Sequence, residues 1–116
     1  ETRQSIKEVF DKYRYLMDTH TSVAYSVYKK YLLETHDNTK TVIVSTASPF
    51  KFTRSVMGAL DDKYNKVDDF ELIEVMSKAA DLKIPKPIEK LNKREIIHNT
   101  VCEMGQMESE VRKFLK

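Results

Sequence analysis

Glycine is scarce in this chain, and its scarcity limits the ligands that the chain can bind by itself. Only Gly58 and Gly105 occur among the 116 residues, and they do not lie close together in sequence. A phosphate cradle built from backbone amides needs glycines, because side chains would otherwise obstruct the approach of the anion. We therefore expect any phosphate-binding loop to lie outside this sequence.

Other absences exclude further classes of protein. The single cysteine, Cys102, cannot form an internal disulfide, and no secretory leader is present, so we expect a cytoplasmic protein in which Cys102 is a small buried apolar residue. No apolar run reaches the roughly 20 residues that span a bilayer, which argues against a membrane protein. His36 and His98 have no acid or cysteine at metal-ligand spacing, so we predict no metal site.

The balance of charge argues against a nucleic-acid partner. The formal net charge is only +2, and the one basic cluster surrounds two prolines and comprises Lys83, Lys86, Lys90, Lys93 and Arg94. Glu89 and Glu95 interrupt this cluster, and it contains no aromatic residue for stacking on bases. We interpret it as part of a solvated linker at about 81–95, with a nucleic-acid surface as the less favoured alternative.

Hydrophobic periodicity predicts an α/β fold of about five helices and two strands. Asp18, Thr19 and Thr21 are each competent to cap the second helix, and Asp68 or Asp69 the fourth. The predicted helices end near 15, 34 and 60, before 84 and near 115, and the predicted strands are 41–44 and 96–102. Two strands cannot form a covered sheet alone, so we expect further strands in sequence outside this chain.

The segment 41–52 is the one that best indicates chemistry. A short β-branched strand ends at Ser45 and Thr46, and Ser48 followed by Pro49 is typical of a helix start. In open α/β sheets, ligands bind beyond the carboxyl ends of strands. We therefore expect Thr46 to contact a ligand, while an ordinary turn residue is the alternative.

Two segments resemble threonine synthase, a pyridoxal-phosphate enzyme that converts O-phosphohomoserine and water to threonine and phosphate. The first is Asp18-Thr19-His20-Thr21-Ser22-Val23-Ala24, in which the family usually has proline at position 19 and alanine at position 22. The second is Thr46-Ala47-Ser48-Pro49-Phe50-Lys51-Phe52, after a family position that is serine or glycine. The resemblance is to the carboxyl-terminal part of the family and extends over most of the chain.

The resemblance implies specific roles for three residues. Thr46 matches the hydroxyl residue that faces the pyridine nitrogen of pyridoxal phosphate, while His20 and Lys51 are candidates to contact substrate or to support residues that do. Lys51 does not match the lysine that forms the Schiff base, which we expect in a missing N-terminal part of the same enzyme. The alternatives are that Lys51 forms a structural ion pair, and that Asp18 caps a helix while His20 bonds backbone.

We therefore expect residues 1–116 to be a single helix-rich C-terminal segment of the large domain of a fold type II enzyme. The start at Glu1 without a methionine and the short length agree with a fragment. Such a fragment would be inactive and would not bind pyridoxal phosphate alone. The rival hypothesis is an autonomous helical protein-interaction module, and a third is a relative of threonine synthase with altered chemistry.

Overall fold

The computed structural model describes residues 1–115, which form a helical body with irregular connections. Its α-helices are α1 (Thr2–Tyr13), α2 (Thr19–Thr35), α3 (Thr53–Leu60), α4 (Asp69–Ala80) and α5 (Met107–Phe114). Short 3₁₀ turns lie at Pro49–Phe52, Asp62–Lys66, Leu91–Lys93 and Met104–Gln106. Within this described part, no helix has both the length and the apolar character needed to cross a bilayer.

The hydrophobic core lies between α1, α3 and α4. Its buried members are Ile6, Phe10, Leu16, Phe50, Val56, Met57, Leu72 and Met76. On each of these helices the apolar residues recur three and four positions apart, so that they share one face. Burying each side chain of this size contributes about 1.5–3 kcal/mol relative to exposure. The core therefore accounts for the packing of α3 against α1 and of α4 against α3.

Helix α2 packs on α1 through small polar side chains. The Ser5 and Ser26 hydroxyls lie 2.8 Å apart, and the Ser22 hydroxyl donates to the Thr2 carbonyl at 2.7 Å. The apolar residues that predicted this helix lie mainly on its outer side, where Val23 and Val27 are 49% and 60% exposed. The predicted helix is confirmed, but its apolar face is not the face buried here.

The prediction of an α/β fold with two strands is wrong for residues 1–115, which contain helices but no strand. Both 41–44 and 96–102 are irregular. A strand is stable only when its backbone amides and carbonyls pair with a neighbouring strand, and these two segments do not pair with each other. Val42, Val44, Ile97 and Val101 are 72–94% exposed. The helix-rich part of the prediction is confirmed.

The predicted helix boundaries agree closely with the observed ones. Asp18 caps α2 and Asp68 caps α4, each accepting from two backbone amides. Helix α4 ends before the prolines, where Asp81 takes a left-handed conformation with φ of 52°. Beyond it the chain turns, and Ile84 and Ile88 lie half-buried against the core. The assignment of 81–95 as a linker stays a prediction.

Replacing Leu72 by alanine tests the helical core. Leu72 is fully buried, so we expect Leu72→Ala to lower the free energy of unfolding by about 2–5 kcal/mol. Val44 is 72% exposed, so we expect Val44→Ala to change it by less than about 0.5 kcal/mol. Urea denaturation of the 116-residue chain, followed by circular dichroism, measures both. An equal cost for the two variants would contradict the observed packing.

Candidate functional site

The N-terminus of α2 is organised around the carboxylate of Asp18, whose side chain is fully buried. Its Oδ1 accepts from the His20 amide at 2.8 Å and from the Thr21 amide at 3.4 Å. Its Oδ2 accepts a short hydrogen bond from the Thr21 hydroxyl. These donors satisfy the carboxylate in the absence of water, because each replaces a lost solvent hydrogen bond.

The same donors keep Asp18 ionised. Burial alone raises the pKa of the Asp18 carboxyl, but hydrogen bonds from the Thr21 hydroxyl and from the His20 and Thr21 amides outweigh it. The pKa of Asp18 is therefore below its ordinary value. The positive end of the α2 dipole favours the same ionised form.

A hydroxyl pair connects α2 to the segment that follows 41–44. The Thr21 Oγ1 lies 3.0 Å from the Ser45 Oγ, across 24 positions of sequence. In the segment before Ser45, half-buried Ile43 lies between the exposed residues Val42 and Val44. This alternation is typical of a chain whose successive side chains point to opposite sides. The sequence predicted Thr21 only as a helix cap and gave Ser45 no contact with it.

Thr46 follows this anchored residue and is exposed. Within residues 1–115 its hydroxyl forms no hydrogen bond, so it is free to bind a ligand. Downstream, the Ser48 hydroxyl accepts from the Phe50 amide at 3.3 Å, with Pro49 in the first helical position, as the sequence predicts. Burial of Phe50 fixes this turn on the core. Thr46 therefore lies between two fixed points.

The predicted site residue His20 lies beside this turn. Its Nδ1 is 3.2 Å from the Asp18 Oδ1, and its ring centroid is 5.0 Å from that of Phe52. The His20 side chain is 62% exposed, so its other ring nitrogen is accessible. In the described chain the ring is thus held by a carboxylate and an aromatic side chain rather than by a backbone hydrogen bond.

Lys51, the third candidate, is exposed on the 3₁₀ turn and forms no ion pair with any residue in 1–115. The alternative that it makes a structural ion pair therefore has no partner in the part of the chain described. Lys51 also lines an open cleft of about 590 Å³ whose apolar walls include Phe50, Phe70 and Ile73.

The remaining candidates lie apart from this turn. The prediction that Cys102 is buried is wrong, because Cys102 is exposed beside α5, where the surrounding segment packs on little else. Across residues 1–115 no group of three histidine, cysteine or acidic side chains is placed to hold a metal ion. The Asp18–Ser45 cluster, with Thr46 directly after it, is thus the polar site to which the sequence motifs point.

The family model described as "Threonine synthase, C-terminal" matches residues 21–103. The match covers more than half of the chain. It includes Thr21, Ser45 and the whole turn that carries Thr46 and Lys51, whereas Asp18 and His20 lie just before its first residue. The resemblance inferred from the sequence motifs is therefore confirmed.

The lowered pKa of Asp18 predicts a specific acid response. A carboxyl whose pKa is lower in the folded state adds stability above its unfolded pKa, and this contribution disappears as pH falls through the folded pKa. We expect Asp18→Asn to destabilise the chain by about 1–3 kcal/mol at pH 7, and the difference from wild type to shrink below about pH 4. Denaturant titrations between pH 2 and 7 measure it.

The matched control is Asp11→Asn, which removes the same charge from a side chain that is 58% exposed. It should have little effect at any pH, because exposed ion pairs contribute at most about 1 kcal/mol. A constant difference between Asp18→Asn and wild type over the whole pH range would contradict the assignment of Asp18 as a buried carboxylate.

Proposed function

Since the chain belongs to the threonine synthase C-terminal family, we propose that it forms one wall of the active site of a pyridoxal-phosphate-dependent threonine synthase. The reaction is the conversion of O-phosphohomoserine and water to threonine and phosphate. The observation that carries the proposal is that the two family-like segments meet, because Thr21 contacts Ser45 and His20 packs on Phe52. The compartment we propose is the cytoplasm.

The residues of this chain fit one part of the cofactor. When bound, pyridoxal phosphate supplies an electron sink for the substrate carbons. Thr46 fits the pyridine nitrogen, since its hydroxyl is exposed and free in the described chain and follows the anchored Ser45. Gly58 lies within α3 and Gly105 within a 3₁₀ turn, so the chain offers no glycine-rich cradle in residues 1–115 for the phosphate. The phosphate site and the covalent lysine belong in our proposal to the N-terminal part.

A hydroxyl opposite the pyridine nitrogen has a definite chemical consequence. Thr46 is neutral and can donate its proton to an unprotonated ring nitrogen, whereas a carboxylate would favour the protonated ring. The threonine thus orients the ring while leaving it without a full positive charge. In this proposal Thr46 therefore favours the unprotonated pyridine ring, which is the weaker electron sink.

In this proposal His20 and Lys51 contact the substrate. Lys51 presents an exposed ammonium group that forms no ion pair within residues 1–115, which suits an anionic phosphate or carboxylate. His20 presents one accessible ring nitrogen while Asp18 orients the other, so it can exchange a proton or a hydrogen bond with substrate.

The exposed apolar surface supports a partner in the same enzyme. Val23, Val27 and Tyr31 form one outer stripe of α2 and are 45–60% exposed. An apolar stripe of this kind is normally buried against another part of the protein. We propose that the N-terminal part of the enzyme covers it, and that the chain alone is inactive.

The alternative function is an autonomous helical interaction module. The observation that favours it is the self-contained core, in which every buried side-chain nitrogen or oxygen of the described residues has a hydrogen-bond partner. Pairing of this kind is typical of native folded proteins. This alternative assigns no cofactor to Thr46.

Replacing Thr46 in the intact enzyme separates the two functions. We expect Thr46→Val to lower kcat by about 10- to 100-fold, because one hydrogen bond to the cofactor ring is lost, and to shift the absorbance band of the bound cofactor. Thr46→Ser should keep both close to wild type. Thr41→Val, which changes another exposed threonine, is the control. Wild-type kcat and absorbance in Thr46→Val would contradict the cofactor contact.

Replacing Val27 tests the proposed burial of the α2 stripe. In the isolated chain Val27 is 60% exposed, so Val27→Asp should change the free energy of unfolding by less than about 0.5 kcal/mol. In the intact enzyme we expect the same change to lower it by more than about 2 kcal/mol, because an unpaired charge is buried. Thermal or urea denaturation measures both. A negligible effect in the intact enzyme would favour the autonomous module.

A further inference from the structure

We propose that Asp18 and Thr21 are positioning residues that hold Ser45, and through it Thr46, in place for the cofactor. This inference rests on the proposed function and assigns roles that the family match does not give, because the match identifies the family over residues 21–103 but no role for Thr21 or Ser45, and Asp18 lies outside it. The hydrogen bonds that hold Ser45 begin at the buried carboxylate of Asp18 and end at Ser45, which directly precedes the exposed residue Thr46.

The direction of the hydrogen bonds follows from counting protons. Thr21 has a single hydroxyl proton, yet its Oγ1 lies within hydrogen-bond distance of both Asp18 and Ser45. An ionised carboxylate can only accept, so Thr21 donates to Asp18. The Ser45 hydroxyl must then donate to Thr21. Ser45 therefore donates to Thr21, and Thr21 donates to Asp18. We call these two hydrogen bonds the relay.

The first turn of α2 holds the Asp18 end of these hydrogen bonds. Asp18 is fully buried and is held by the amides of His20 and Thr21, both within the first turn of α2. The same turn is attached to α1 by the hydrogen bond from the Ser22 hydroxyl to the Thr2 carbonyl. Ser45 is thus bonded to the helical body rather than to another loop.

Anchoring Ser45 restricts Thr46 as well. Thr46 is bonded directly to Ser45 through a planar peptide unit, so holding Ser45 against α2 also limits where the backbone of Thr46 can lie. On its other side Thr46 is followed by the Ser48 cap and the buried ring of Phe50. The relay therefore limits rotation of the backbone at the one residue that would face the pyridine ring.

The relay is tested in the intact enzyme with Ser45→Ala and Thr21→Val, which remove the bond from either end. Amide hydrogen exchange of 43–47 in the enzyme stripped of cofactor is the first readout, and binding of added pyridoxal phosphate is the second. We expect exchange to be at least about fivefold faster and the Kd to rise about tenfold in each variant. Thr21→Ser, which keeps the hydroxyl, should restore both toward wild type.

Two controls make the outcome decisive. Thr41→Val alters an exposed hydroxyl that contacts only the Thr39 carbonyl, and it should leave both readouts unchanged. The double variant Thr21→Val/Ser45→Ala should be no worse than Thr21→Val alone, because Thr21→Val already removes the hydrogen bond to Ser45 together with the one to Asp18. Wild-type exchange and Kd in both single variants would overturn the relay, as would fully additive effects in the double variant.

Failure of the relay is distinguishable from failure of the proposed function. If Thr46→Val changes the cofactor absorbance while Thr21→Val and Ser45→Ala change neither readout, the relay is wrong and the cofactor contact stands. If Thr46→Val is silent while exchange at 43–47 still rises in the relay variants, the anchor is real but the proposed role in cofactor binding is wrong.

Discussion

The buried carboxylate of Asp18 is the interaction on which the site depends. An ionised group without access to water is stable only when donors surround it, and here the first turn of α2 supplies them. Because Thr21 is both a donor to Asp18 and an acceptor for Ser45, the requirement to satisfy one carboxylate also fixes a segment 24 positions away. Helix capping and site geometry therefore have the same physical origin.

The helical body provides the rigid support for this arrangement, and it does so with apolar residues from α1, α3 and α4. The outer stripe of α2 and the segment around Val42 and Val44 remain exposed. A chain can thus contain a complete small core and still present surfaces that fit a larger protein. Because the chain has both a core and exposed apolar surfaces, its structure is consistent with a fragment of an enzyme and also with a self-contained module.

The sequence predicted the helices and their caps well, because local signals determine them. Asp18, Ser48 and Asp68 each act as the caps that their positions indicate. The prediction of strands at 41–44 and 96–102 was wrong. A β-branched run indicates a strand, but a strand forms only where a neighbouring strand pairs with its backbone. The sequence predicted α2 but did not predict the face that packs on α1, which carries Ser22 and Ser26. Their contacts with α1 are long-range, and hydrophobic periodicity contains no signal for them.

The site itself was predictable only in part. Motif resemblance led to Thr46, His20 and Lys51, whose roles stay predictions, while the contact between Thr21 and Ser45 spans 24 positions of sequence, and local motifs contain no signal for it. The central claim is that Thr46 faces the cofactor ring, and a crystal structure of the intact enzyme with pyridoxal phosphate tests it most directly. The account predicts about 2.7–3.2 Å between the Thr46 Oγ1 and the pyridine nitrogen. A different residue at that nitrogen, with Thr46 out of hydrogen-bond range, would contradict it.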